Sequence, residues 1–206
     1  MGTTIITSLI TAFTSIFVAL ITAGYFKKFM DLRKEKKSRK DLTEQFAKDE
    51  IIHFSLKEIK KNYDADRITI TQFHNGGNFY TNSSMQKSSM TYERMTDGLE
   101  PIAQKYQNIL VSNYSWYFQQ AIENNGFFYS VHVDIADLAT RSVIRSHGTN
   151  SHVVVPIFDK DKNLVAALAL DWAFTEVPNE LIADDTFKEE FKAEIFREAQ
   201  SLLTYL

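Results

Sequence analysis

Ser151-His152-Val153-Val154-Val155-Pro156-Ile157-Phe158 leads through Asp159-Lys160-Asp161-Lys162-Asn163 into Leu164-Val165-Ala166-Ala167-Leu168-Ala169-Leu170-Asp171-Trp172. Two apolar runs of strand length around a polar turn of this composition predict a β-hairpin. The second run is apolar at nearly every position. A half-exposed strand alternates instead, so this run is expected to be central and covered on both faces.

Working outward, residues 184 to 206 read as an amphipathic helix. Phe187, Phe191, Ile195, Ala199, Leu202 and Leu206 line one face, and Lys188, Glu189, Lys192 and Arg197 lie elsewhere. Upstream, Leu138 to His147 reads as a helix stopped by Gly148, and Phe127 to Val133 as a strand ending at Asp134. Tyr114 to Asn124 is a helix closed by Asn125-Gly126. Glu100 to Asn108 is a short helix and Ser84 to Arg94 a strand. Arg67 to Phe73 alternates as a half-buried strand does. His74-Asn75-Gly76-Gly77-Asn78 then reads as a turn, because Asn-Gly and Gly-Gly supply positive φ cheaply. Before that, Leu42, Phe46, Ile52, Leu56, Ile59 and Tyr63 recur near helical spacing over Asp41 to Tyr63, and Asp64-Ala65-Asp66 stops the helix. The expected fold is α+β: an antiparallel sheet of five or six strands with flanking helices, preceded by one transmembrane helix.

That span is the run from Thr3 to Phe26, 24 residues without a charged side chain. At about 1.5 Å per helical residue it crosses a hydrocarbon core of roughly 30 Å. Lys27, Lys28, Arg33, Lys34, Lys36, Lys37, Arg39 and Lys40 follow at once, against only Asp31 and Glu35. The basic cluster is expected to stay in the cytoplasm. This gives a single-pass protein of the inner (cytoplasmic) membrane, N-terminus outside and C-terminal domain cytoplasmic, with the basic segment on anionic lipid headgroups. A cleaved signal peptide would place its positive charge before the apolar run, and Gly24-Tyr25-Phe26-Lys27 is a poor cleavage site. Thr4, Ser8, Thr11, Ser15 and Thr22 share a helical stripe that lets spans approach closely, so a homo-oligomer is expected. The organisation is residues 1–26 as the span, 27–63 as the basic juxtamembrane segment and amphipathic helix, and 64–206 as the folded domain.

Composition narrows the chemistry. The chain of 206 residues is 44% hydrophobic and 24% charged, enough to build one core, and its 16 Phe and 9 Tyr make that core aromatic. A net charge of −3 with a strongly basic juxtamembrane block leaves the rest acidic, so nucleic acid is not an expected partner. There is no cysteine, hence no disulfide, thiol nucleophile, thiolate-bound metal or thioether-linked cofactor. The five histidines do not fall at metal-ligand spacing.

The element order resembles the GAF domain, a small-molecule-binding module related to PAS. Four stretches carry the resemblance: Asp64-Ala65-Asp66-Arg67-Ile68 after an amphipathic helix, Phe127 to Asp134, Val153 to Phe158, and Asn163 to Leu170. It covers roughly Leu42 to Leu206 and implies fold rather than function, because the fold serves many ligands. Ala166 and Ala167 stand where many GAF domains have glycine, and the Asn-Lys-x-x-Asp-Glu signature of cyclic-nucleotide binding is absent. Without cysteine, the GAF-like methionine-sulfoxide reductases and the covalent bilin carriers are excluded. A second likeness, of architecture only, is to single-span phage holins, which place their globular domain on the opposite side of the membrane.

If the segment after β-hairpin residues 74–78 folds over the sheet, as it does in GAF domains, His74 and Asn75 would meet Tyr80, Tyr92 and Glu93 around a ligand. Asp134 and Asp171 each end an apolar strand and would complete the binding set, beside His132 and His152. The aromatic cluster Tyr114, Trp116, Tyr117 and Phe118 is expected to pack in the core. No catalytic residue, metal site or cofactor is expected. The reading is a membrane-anchored, non-enzymatic GAF-like sensing or interaction protein with a possible small-molecule ligand. Its output would pass through oligomerisation or a separate partner, as no effector segment follows. The alternative is a holin-like phage lysis protein whose span oligomerises and whose soluble domain sets the timing.

Overall fold

A computed structural model describes residues 28, 41–78, 81–123, 128–131, 134–175, 177–178 and 185–206. The apolar run Thr3–Phe26, Tyr80 and His132 lie outside these residues. No described helix is long and apolar enough to cross a membrane. The chain divides into two compact units, Met1–Lys48 and Asp49–Leu206. In the first, residues 41–48 are helical and exposed.

The second unit is built on one six-stranded antiparallel sheet. Its strands are β1 (Arg67–Asn78), β2 (Ser84–Met95), β3 (Ile109–Leu110), β4 (Phe128–Val131), β5 (Ser151–Phe158) and β6 (Leu164–Trp172). Their order across the sheet is β3-β2-β1-β6-β5-β4. The apolar run Leu164–Trp172 therefore lies centrally between β1 and β5, and the β5–β6 hairpin forms over the expected residues.

One face of the sheet carries the main core. Helix α1 (residues 49–62) contributes Ile52, Leu56 and Ile59, and Tyr63 follows at the same spacing. The terminal helix, α4 (Asp185–Ser201), contributes Phe191, Ile195 and Ala199, with Leu202 just beyond it. These helical stripes, spaced three or four residues apart, close on Ile68, Ile70, Val153, Val155, Ile157, Leu168, Leu170 and Trp172, which leave the strands on that side by the two-residue alternation. Trp172 is fully buried, and its indole N–H donates to the Tyr63 carbonyl at 3.2 Å. The amphipathic helix assigned from the sequence to the juxtamembrane segment thus shares one core with the sheet. Asp66 ties the first strand to the end of β6: its Oδ2 accepts the backbone N–H groups of Ala173, Phe174 and Thr175 at 2.7, 2.7 and 3.0 Å.

Two expectations fail. Residues 74–78 are not a turn. β1 runs through them, with His74 opposite Lys87, Asn75 opposite Gln86 and Asn78 opposite Ser84. The glycines make an irregularity between Asn75 and Asn78, where Gly77 has φ +103° and its N–H is held by Asn75 Oδ1 at 2.9 Å. Their conformational freedom bends a long hairpin instead of reversing it. Nor is Glu100–Asn108 a helix beyond the 3₁₀ turn Ala103–Lys105. Its backbone is drawn to β2: Ile102 and Ala103 donate to Glu93, and Met90 N–H donates to the Tyr106 carbonyl at 2.8 Å.

Candidate functional site

The second face of the sheet is covered by α2 (Ser115–Glu123), α3 (Leu138–Ser146) and the segment between β2 and α2. The strands present short side chains there: Thr69 and Thr71 from β1, Ser88 from β2, Ala167 and Ala169 from β6. Alternation forces this, because Ile68, Ile70, Leu168 and Leu170 already point into the main core. Short residues beneath large covering ones leave a cavity of about 90 Å³. Its roof is Tyr117 and Phe118 of α2 and Thr140, Val143 and Ile144 of α3; its sides include Met90, Ile102, Tyr106, Ile109, Tyr114 and His147. Asp137 caps α3, accepting the Thr140 N–H at 2.7 Å, and so fixes the helix that presents Thr140.

At one end lies a buried charge cluster. Arg67 is 0% exposed. Its Nε is 3.1 Å from Glu93 Oε1, its Nη1 is 3.5 Å from Asp171 Oδ2, and its Nη2 donates to the Glu100 carbonyl at 3.0 Å. Glu93 also accepts Ile102 N–H at 3.1 Å and Ala103 N–H at 3.0 Å. Asp171 lines the cavity, and Arg67 is its one ion-pair partner among the described residues. Burial pushes the Asp171 carboxyl up to about 6, with Arg67 acting against that and Glu93 adding to it.

The other polar groups are neutral. Burial lowers His147 to about 4, helped by Arg67 and Lys105, and its Nε2 bonds the Tyr106 hydroxyl. The phenols of Tyr106 and Tyr117 are raised, in both cases chiefly by burial. Thr140 is 1% exposed, and its hydroxyl lies by the Asp137 carboxylate, whose pKa it helps to lower. Beside the cavity, His152 packs against Tyr117 and Phe128, and burial holds it down at about 3. No group of three metal-ligating side chains occurs among the described residues.

The residues singled out from the sequence separate. Asp171 lines the cavity, and Glu93 supports it through Arg67. Tyr92 does not face it. It points to the α1 side, where its hydroxyl donates to Asp49 Oδ1 at 2.6 Å and its ring meets His53 edge-on. The sheet alternation separates Tyr92 from Glu93, so adjacent residues cannot serve one pocket. His74 bonds Ser89 Oγ at 2.9 Å, and Asn75 is exposed; both lie on the distal half of β1, away from the cavity wall. Asp134 is exposed in the turn before α3. Tyr114, Tyr117 and Phe118, expected only as core, line the cavity, while Trp116 packs on Phe128. Sequence reading missed Arg67 and Thr140. The alternation Arg-Ile-Thr-Ile-Thr carries a signal for the first, since it puts Arg67 on the same face as Thr69 and Thr71.

No protein-family model and no curated protein matches the sequence. Solved structures do resemble it. The GAF domain of PixJ from Thermosynechococcus elongatus, in its blue-light absorbing form, aligns with TM-score 0.54 at 13% identity, covering 78% of this chain and 88% of that one. The red light-absorbing state of NpR6012g4, a red/green cyanobacteriochrome, aligns with TM-score 0.53 at 13% identity over 75% and 90%. The GAF domain region of a Geobacter sulfurreducens PCA protein gives TM-score 0.53 at 12% identity over 80% and 98%. Likeness at this identity speaks for architecture: the sheet and helices of this chain have the GAF fold.

Proposed function

We propose that this chain is a membrane-anchored, non-enzymatic sensor that holds a small molecule in the cavity between its sheet and the α2–α3 layer. The observation that carries this reading is the cavity itself, whose wall combines the Asp171 carboxylate with the buried Thr140 hydroxyl. A purely structural domain gains nothing by burying a charge against a cavity, since that is costly. The GAF fold favours sensing over the lysis-protein alternative. The absence of cysteine and the small cavity point to a compact ligand held without a covalent bond. The apolar run Thr3–Phe26 supplies the anchor in this reading, and self-association or a partner carries the signal onward.

The test is a thermal-shift screen of small metabolites on the full chain in detergent, run in parallel on Ala167→Leu and Val143→Trp, which fill the cavity. Ligands that raise the melting temperature of the parent and not of the filled variants support the reading. A parent that responds to none, or filled variants that respond equally, would sink it.

A further inference from the structure

We propose that the cavity takes a compact primary amine as its ammonium ion, seated on the Asp171 carboxylate with the Thr140 hydroxyl as a further acceptor. This rests on the sensor reading above and names its ligand class.

The charge count is the first argument. Arg67 brings one positive charge to two carboxylates, Glu93 and Asp171. Glu93 accepts the N–H groups of Ile102 and Ala103 and lies 3.1 Å from Arg67 Nε, an ion-pair contact without hydrogen-bond geometry. Asp171 has only the longer 3.5 Å contact, so the residual negative charge falls on the carboxylate that faces the cavity. A buried charge of this kind is stabilised by a counter-ion. The second argument is access. Among the described residues, no lysine or arginine lines the cavity. An anion entering would meet Asp171 and no cation. His147 is held neutral and adds no opposing charge.

The third argument is the wall. Thr140 offers a buried hydroxyl, and the aromatic rings of Tyr106, Tyr114 and Tyr117 share the lining. Size sets the limit. A cavity of roughly 150 Å³ accepts benzene. The 90 Å³ here suits a smaller body, on the order of five heavy atoms.

Isothermal titration of the full chain in detergent tests the proposal, with n-butylamine, 1-butanol and sodium butyrate as probes of equal length and different charge. At pH 8 the amine is expected to bind at least tenfold more tightly than the alcohol, and butyrate not at all. Between pH 8 and pH 5 the amine affinity is expected to fall about tenfold as Asp171 takes up its proton near 6. The groups facing Asp171 are Arg67 of β1, Glu93 of β2, Tyr117 of α2 and His152 of β5; with His152 at about 3 and His147 at about 4, neither histidine titrates across that range. D171N is expected to bring the amine down to the level of the alcohol. The pH series needs no variant and stands if D171N fails to fold. Alcohol or butyrate binding as tightly as the amine overturns the amine class while leaving the pocket in place. If none of the three binds, the amine proposal falls, and the metabolite screen with its cavity-filled variants decides the wider reading by itself.

Discussion

Arg67 and Asp171 face each other in register across β1 and β6, with Nη1 3.5 Å from Oδ2, at the point where the two central strands of the sheet begin and end. A fully buried guanidinium thus joins the sheet to the floor of the cavity, and Glu93 of β2 holds its other edge. One side chain of β1 thus contacts β2 and β6 beside the cavity.

Arg67→Met is therefore expected to destabilise the fold by about 3–5 kcal/mol, because it leaves two buried carboxylates without a counter-charge. Urea unfolding followed by circular dichroism measures this. Adding Glu93→Gln and Asp171→Asn to the same chain is expected to recover a large part of the loss. A triple variant no more stable than the single one would show that Arg67 acts through packing and not through charge.

Stability is expected to fall as the pH drops from about 6.5 toward 4. His147 and His152 have folded-state values of about 4 and 3, below the ordinary 6.5, so the unfolded chain takes up their protons first. Each contributes at most about 1.4 kcal/mol per pH unit in that window. Asp171 works in the opposite sense. Its value of about 6 lies above the ordinary 3.8, so the folded state takes up that proton first, and its contribution to stability is lost as pH rises through 6. The summed slope of these three groups is thus close to that of one histidine. H152L is expected to flatten the curve and, by removing a buried imidazole with no partner among the described residues, to add about 1 kcal/mol at pH 7. D171N is expected to steepen it. Denaturation midpoints at half-unit pH steps separate the three curves.

Asp66 closes the connection between the α1 end and β6. Burial opposes its charge, but the N–H groups of Thr175, Phe174 and Ala173 outweigh that and lower its pKa. Asp66→Ala is expected to cost about 2–3 kcal/mol, since three backbone donors lose a charged acceptor. Amide hydrogen exchange at residues 173–175 is expected to accelerate in this variant. Unchanged protection there would mean that these donors find another acceptor.

The proposed anchor and its orientation are tested by reporters fused after Leu206. On the proposed topology, with the basic block Lys27–Lys40 inside, a reporter active only in the cytoplasm is expected to work and one active only outside to stay silent. The reverse pattern would discard the cytoplasmic placement of the domain.

The secondary structure around residues 151–172 and the helix stripes at 52–63 and 191–202 were legible in the sequence, because hydrophobic periodicity is a local property of the chain. The His74–Asn78 segment was misread for the same reason. Its glycines permit a turn, yet pairing with Gln86 and Lys87, not local preference, decides that the strand continues. The cavity was only partly legible. Asp171 was marked by its place at the end of an apolar strand, whereas Tyr92 was wrongly grouped with Glu93, its neighbour on the opposite face. Thr140 carries no sequence signal at all, since its hydroxyl matters only through what packs over it.

The sequence by itself determined the alternation that sends Arg67, Thr69 and Thr71 to one side of β1 and Ile68 and Ile70 to the other. Only the tertiary structure decided that Arg67, Glu93 and Asp171 meet, that α3 holds Thr140 over Ala167 and Ala169, and that space remains between them. Strand order and register bring together residues up to 104 positions apart (Arg67 and Asp171), and those depend on how the whole sheet closes over its core.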